Sequence, residues 1–175
     1  MSQVKPWRLL RSKVVFEHPW YKLRRDFIAL PDGRRIDDYF ISLRPEVVLV
    51  FPVTPENEVV MVKQYKHGPQ QILIEFPGGT FIGGQEDPKL AAARELAEET
   101  GYTSNELQFL GTAWDDPTRQ DNQQHFFLAN DTSGLLASFD ETDGSRFVDR
   151  GGPRHAINRN WRAVEVDLVS SASTR

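Results

Sequence analysis

The chain has 175 residues, a formal net charge of −4 and no cysteine. That length allows one domain with a real core and room for a small attachment. The charge argues against a protein that coats nucleic acid, and the missing thiols exclude disulfides and thiolate metal sites. No run is apolar and long enough for a membrane span or a secretory leader, so a cytoplasmic protein without membrane contact is expected.

Residues 14–30 read as strand material, with Val14, Val15 and Phe16 followed by Tyr21, Leu23, Phe27, Ile28 and Leu30. Pro31-Asp32-Gly33 marks a hairpin turn into a second strand over 36–43, which Pro45 ends. Apolar runs at 47–53 and 59–65, with a turn near Pro55-Glu56-Asn57, predict a buried hairpin. A short strand over 72–76 leads into a glycine-rich loop formed by Pro77-Gly78-Gly79 and Gly83-Gly84. Later strands are expected over 107–114 and 124–129, and a short one over 163–169.

One strong helix follows the glycines. Asp87 can cap it, Pro88 suits its first turn and Gly101 can end it in the left-handed conformation. At about 100° per residue, Leu90, Ala93, Leu96, Ala97 and Thr100 fall on one side and Glu95, Glu98 and Glu99 on the other. Ala91 and Ala92 flank the acidic side with little bulk. A solvated face is the ordinary explanation for such glutamates. Here, however, the like charges at i,i+4 cost about 0.2–0.5 kcal/mol, and carboxylates at the helix C-terminus oppose its dipole by up to about 1 kcal/mol. A hard divalent cation relieves both penalties, and carboxylates with a backbone carbonyl are what Mg²⁺ or Mn²⁺ prefers. Glycine allows close backbone approach to such a ligand. Arg94 can bridge Glu86 and Glu98 and so organise the carboxylates.

These residues resemble the signature of the Nudix hydrolases, G-x5-E-x7-R-E-U-x-E-E-x-G-U, with U a bulky apolar residue. The match runs through Gly79, Glu86, Arg94, Glu95, Leu96, Glu98, Glu99, Gly101 and Tyr102. Six residues instead of five separate Gly79 from Glu86, and Gln85 stands where glycine is usual; a one-residue insertion in a loop is thermodynamically cheap. The resemblance implies an α/β fold, a Nudix α/β/α sandwich with a mixed sheet, preceded by a small N-terminal antiparallel sheet. It implies a metal site of Gly79, Glu95, Glu98 and Glu99, with Glu98 a ligand, a base or both, and catalytic roles for Glu98, Glu99, Arg94 and Glu86. The cofactor implied is Mg²⁺ or Mn²⁺.

The surroundings resemble the ADP-ribose and nucleotide-sugar pyrophosphatase branch. Residues 1–45 then form a β extension for dimerisation and substrate contacts, 46–143 the Nudix domain, and 144–175 an atypical, irregular tail. Val62-Lys63-Gln64-Tyr65-Lys66 is similar to the branch's Q-Y-R strand, with Lys66 in place of arginine. Pro117 lies fifteen residues after Tyr102, as in ADP-ribose hydrolases, and equally suits a turn after Asp115-Asp116. Substrate contacts are expected from Lys66, Arg119 and Trp20, and a structural role from His125. Glu141 matches a remote loop glutamate that serves as base in this branch, or is a solvated acidic residue. The expected substrate is a nucleoside-diphosphate-linked small molecule and the expected assembly a homodimer. The competing readings are a nucleoside triphosphate house-cleaning pyrophosphatase and a non-hydrolysing nucleotide sensor.

Overall fold

Charged and apolar side chains interleave through the first forty-odd residues, a pattern suited to an antiparallel sheet with one solvated face. The computed structural model, which describes residues 4–134 and the strands Arg146–Val148 and Arg162–Leu168, forms that sheet. Strands β1 (Arg8–His18), β2 (Tyr21–Ala29) and β3 (Arg35–Leu43) pair antiparallel in the order β1-β2-β3. The stretch read as strand from residue 14 is therefore two strands, beginning at Arg8 and broken at Pro19-Trp20. Register shifts between Leu9 and Arg11 and between Val14 and Phe16 disturb the alternation that would have revealed the start of β1. The Asp-Gly turn forms as expected, with Gly33 at φ +89° and the Leu30 N–H donating to the Arg34 carbonyl at 2.8 Å.

This sheet and residues 113–124 make one compact unit; residues 47–112 and 125–175 make the other. In the first unit, buried Asp26 accepts hydrogen bonds from Ser12 Oγ and from Arg24 Nε at 3.1 Å. Arg24 also donates to Asp121 at 3.2 Å, and the other Asp121 oxygen accepts from the Arg44 N–H. The Tyr39 hydroxyl donates to the Thr118 carbonyl and the Ser42 N–H to the Arg119 carbonyl. Together these bonds strap the loop 115–122 to the sheet.

The second unit contains β4 (Glu46–Pro52, its first residue counted with the other unit), β5 (Glu58–Lys66), β6 (Gln71–Glu75), β7 (Gly78–Phe81), helix α1 (Pro88–Thr100) and β8 (Tyr102–Thr103). It continues with β9 (Glu106–Trp114) and β10 (Gln123–Asn130), whose adjoining ends belong to residues 113–124, and with β11 (Ser133–Gly134), β12 (Arg146–Val148) and β13 (Arg162–Leu168). One four-stranded sheet has the order β7-β4-β10-β9 and another β12-β13-β5-β6; β8 and β11 pair separately. In the second sheet β13 runs parallel to β5 while β6 and β12 pair antiparallel, so the sheet is mixed, as the fold class expected. The predicted hairpin of residues 47–53 and 59–65 is corrected here. The turn exists, but only Val53 and Val59 bridge, and β4 and β5 then enter different sheets. Both runs are apolar enough to be buried on both faces, so each takes a central place with partners on either side. Strands β12 and β13 lie within the irregular tail expected over 144–175, β13 within a residue of the short strand expected over 163–169; the other residues of that tail, and Glu141, lie outside the described residues.

Helix α1 closes the core. Asp87 caps it by accepting from the Lys89 N–H at 2.7 Å, Pro88 opens it, and Gly101 ends it at φ +72°. Ala91, Ala92 and Leu96 pack with Val48 and Val50 of β4, Phe81 of β7, Leu107 of β9 and Phe127 and Ala129 of β10. Among the described residues no helix is long and apolar enough to cross a membrane.

Candidate active site

The buried face of α1 is not the one the sequence suggested. Leu90 is 66 % exposed and Ala93 is exposed, whereas Ala91, Ala92, Leu96 and Thr100 are buried. On the helical wheel Glu95 and Glu99 lie between Ala91 and Leu96, so two of the three glutamates project from the packed side. The sequence reading assumed that carboxylates avoid the core side. The alanines permit the inversion, because their small side chains bring α1 close enough for the glutamate stems to reach the strand backbone.

That backbone is Gly78-Gly79. These glycines belong to β7 and not to the loop expected for them; the connecting loop is residues 82–87. A Cβ on Gly78 would strike the Val48 carbonyl, and one on Gly79 would fall inside the Glu95 carboxylate. The glycines are thus required by close approach. The Gly78 N–H donates to Glu99 Oε2 at 2.8 Å. The extra residue between Gly79 and Glu86 is absorbed in a turn where the Gln85 and Glu86 N–H groups both donate to the Ile82 carbonyl, with Gly84 at φ +79°.

Arg94 gathers the remaining acids. Its guanidinium donates to both Glu86 oxygens at 3.2 Å, to Glu95 at 2.7 Å and to Glu98 at 3.2 Å. The Glu86 and Glu95 bonds hold it cationic well above the usual arginine range. Glu95 is the more enclosed of its partners, its side chain 12 % exposed against 57 % for Glu98. Glu99 has no such cation. Burial pushes its carboxyl up to about 7, against the Gly78 hydrogen bond; the Glu95 charge adds to the rise, Lys66 opposes it and Glu75 adds again. The structure therefore brings Gly79, Glu86, Arg94, Glu95, Glu98 and Glu99 together, with Lys66 in electrostatic range.

Glu75 is the residue the sequence reading missed. It accepts from Lys66 Nζ at 2.9 Å and from Gln64 Nε2 at 3.3 Å. The available signal was its place, immediately ahead of Phe76-Pro77-Gly78 on a strand leading into the glycines. Arg119 and Trp20 belong to the other unit. Arg119 lines a cleft of about 510 Å³ with Tyr21, Phe40, Ser42, Arg44 and Asp116. Trp20 is 85 % exposed at the turn between β1 and β2. Pro117 occupies a turn closed by the Arg119 and Gln120 N–H groups on the Asp116 carbonyl. His125 packs edge-on to Phe81, with ring centroids 5.2 Å apart.

The donor set suits a hard divalent cation. Glu99 is a largely desolvated carboxylate with no ion-pair partner beside it, and Glu95, paired with Arg94, is a second one pressed on Gly79. Among the described residues no three acidic or imidazole side chains converge on one point, because Arg94 holds Glu95 and Glu98 while Glu99 faces Gly78. Mg²⁺ needs only one or two carboxylates when waters and substrate phosphates complete its shell.

Residues 43–161 match the family model of the NUDIX domain. The chain belongs to the Nudix hydrolase family. Residues 7–42 match the nucleoside diphosphate sugar hydrolase N-terminal domain, which sets this Nudix hydrolase in the ADP-ribose and nucleotide-sugar pyrophosphatase branch. It is 34 % identical over 142 residues to an ADP-ribose pyrophosphatase of Bacillus subtilis, covering 81 % of this chain and 75 % of that one. It is 32 % identical over 144 residues to the methanol dehydrogenase activator of Bacillus methanolicus, again 81 % and 75 % of the two chains. A crystal structure of an ADP compounds hydrolase shares the fold, with TM-score 0.67 at 23 % identity over 82 % of this chain and 77 % of that one.

Proposed function

We propose that this Nudix hydrolase cleaves the pyrophosphate bond of ADP-ribose or another nucleoside diphosphate sugar in a Mg²⁺- or Mn²⁺-dependent reaction, releasing a nucleoside monophosphate and a sugar phosphate. The observation that carries the reading is the pair of desolvated carboxylates, Glu95 and Glu99, set on the Gly78-Gly79 backbone in a chain whose first strands match a nucleoside diphosphate sugar hydrolase domain. Glu95, Glu99 and the Gly79 carbonyl would hold the cation, with Glu98 joining them or accepting a proton. A bound divalent cation supplies charge neutralisation and a more acidic water. Arg94 and Glu86 keep Glu95 and Glu98 oriented. Lys66 offers a positive charge to the phosphates. A homodimer that covers the exposed Trp7, Leu9, Val14 and Phe16 of the N-terminal sheet fits the same reading.

The test is a panel of nucleotide sugars and nucleoside triphosphates incubated with Mg²⁺ or Mn²⁺, with phosphomonoester products detected by a coupled phosphatase. Turnover of nucleotide sugars above triphosphates is expected. Preference for triphosphates would support the house-cleaning alternative, and absence of product from every compound would defeat the proposal.

A further inference from the structure

Strand pairing places Val62 opposite Glu75 and Gln64 opposite Leu73, so Gln64, Lys66 and Glu75 lie on one face of the β5-β6 ladder. On that face Glu75 Oε2 is shared by the Lys66 ammonium at 2.9 Å and the Gln64 amide at 3.3 Å. Strand β6 ends at Glu75 and the chain passes through Phe76-Pro77 into Gly78-Gly79, so this end of the ladder adjoins the acidic site. A lysine head is a flexible point charge, without the rigid donor fork that lets an arginine set its own geometry.

We infer that Glu75, oriented by Gln64, is a positioning residue that fixes the Lys66 ammonium for the substrate pyrophosphate. The assignment rests on the proposed reading of the site as a pyrophosphatase. It accounts for a carboxylate standing where its own charge would repel a polyanion. It also gives Lys66 the fixed direction that its side chain does not supply.

The sign of one substitution separates positioning from simple field effects. If Glu75 acted only through its charge, Glu75→Gln would lower KM for a nucleotide sugar by removing a repulsive carboxylate. If it positions Lys66, Glu75→Gln raises KM by up to about fivefold, the range of a part-exposed ion pair, with kcat within about twofold of the parent. Lys66→Arg in the Glu75→Gln background should restore KM to within about twofold, because the guanidinium carries its own fork. In a Lys66→Ala background Glu75→Gln should no longer raise KM. Initial rates of the four variants and the parent, with ADP-ribose or whichever nucleotide sugar the parent turns over best, decide the matter. A lowered or unchanged KM in Glu75→Gln, no rescue by arginine, or an unaltered effect without Lys66 overturns the inference. A parent that turns over no nucleotide sugar defeats the underlying reading instead. A melting temperature of Glu75→Gln near that of the parent separates the kinetic effect from loss of fold.

Discussion

Replacing Glu99 with glutamine should make the metal-free protein more stable at pH 8 than the parent, and should make the enzyme much less active with metal. Burial holds the Glu99 carboxyl at about 7 in the folded state against an ordinary 4.5. A raised acid pKa means that the folded state binds the proton more tightly than the unfolded one, so this contribution to stability is complete below 4.5 and is lost as the pH rises through 7. At 1.36 kcal/mol per decade the loss approaches roughly 3 kcal/mol. Glu99 is only half-buried, so screening by solvent brings the expected effect to about 1–2 kcal/mol. Glutamine keeps an oxygen for the Gly78 N–H and never acquires the charge. In EDTA at pH 8, Glu99→Gln should therefore melt about 3–6 °C above the parent, and the difference should nearly vanish at pH 4.5. Turnover at saturating Mg²⁺ should fall at least ~10²-fold, as expected for loss of a metal-binding or proton-accepting group. A variant less stable than the parent at pH 8, a difference independent of pH, or parental turnover would refute the assignment.

Other substitutions separate fold from chemistry. Gly78→Ala drives a Cβ into the Val48 carbonyl, which is backbone that does not yield, and should cost about 1–3 kcal/mol in chemical denaturation. Gly79→Ala meets instead the end of a movable side chain, Glu95, so it should lower turnover more than melting temperature. Leu96→Ala empties a core position that is 1 % exposed and should cost about 2–5 kcal/mol by urea titration. Added Mg²⁺ or Mn²⁺ should raise the melting temperature of the parent more than that of Glu99→Gln, because a ligand stabilises only through the folded state that binds it.

Most of the strands and both helix caps were legible because their signals are local. Asp87, Pro88 and Gly101 each act within one turn of α1, and Asp32-Gly33 acts within its own hairpin. The acidic site was legible as a set of residues but not as a geometry. Wheel reasoning sorts residues by polarity and so placed Glu95 and Glu99 away from the core, because it had no means of knowing that Gly78-Gly79 would form a strand without side chains beneath them. The divergence of β4 and β5 was hidden for a related reason. Two apolar runs joined by a turn look alike whether they pair with each other or with remote partners, and the partner of β5, residues 162–168, lies about a hundred positions away. Glu75 was overlooked because its meaning depends on Lys66 across the ladder.

The two environments of the helix acids have one electrostatic consequence. Arg94 is engaged by Glu86, Glu95 and Glu98, so those three acids already have a counter-charge. Glu99 has a single backbone N–H and sits among Glu95 and Glu75, with Lys66 itself engaged by Glu75. The least compensated carboxylate is therefore that of Glu99, against the backbone of Gly78. A divalent cation binding here would be drawn toward Glu99, where burial strengthens the attraction. Arg94 also holds the Glu95 and Glu98 carboxylates in place, and if the metal needs that orientation Arg94→Ala should weaken metal binding even though it removes a positive charge. Stronger Mn²⁺ binding by Arg94→Ala, measured by calorimetry, would show that the guanidinium merely competes with the metal.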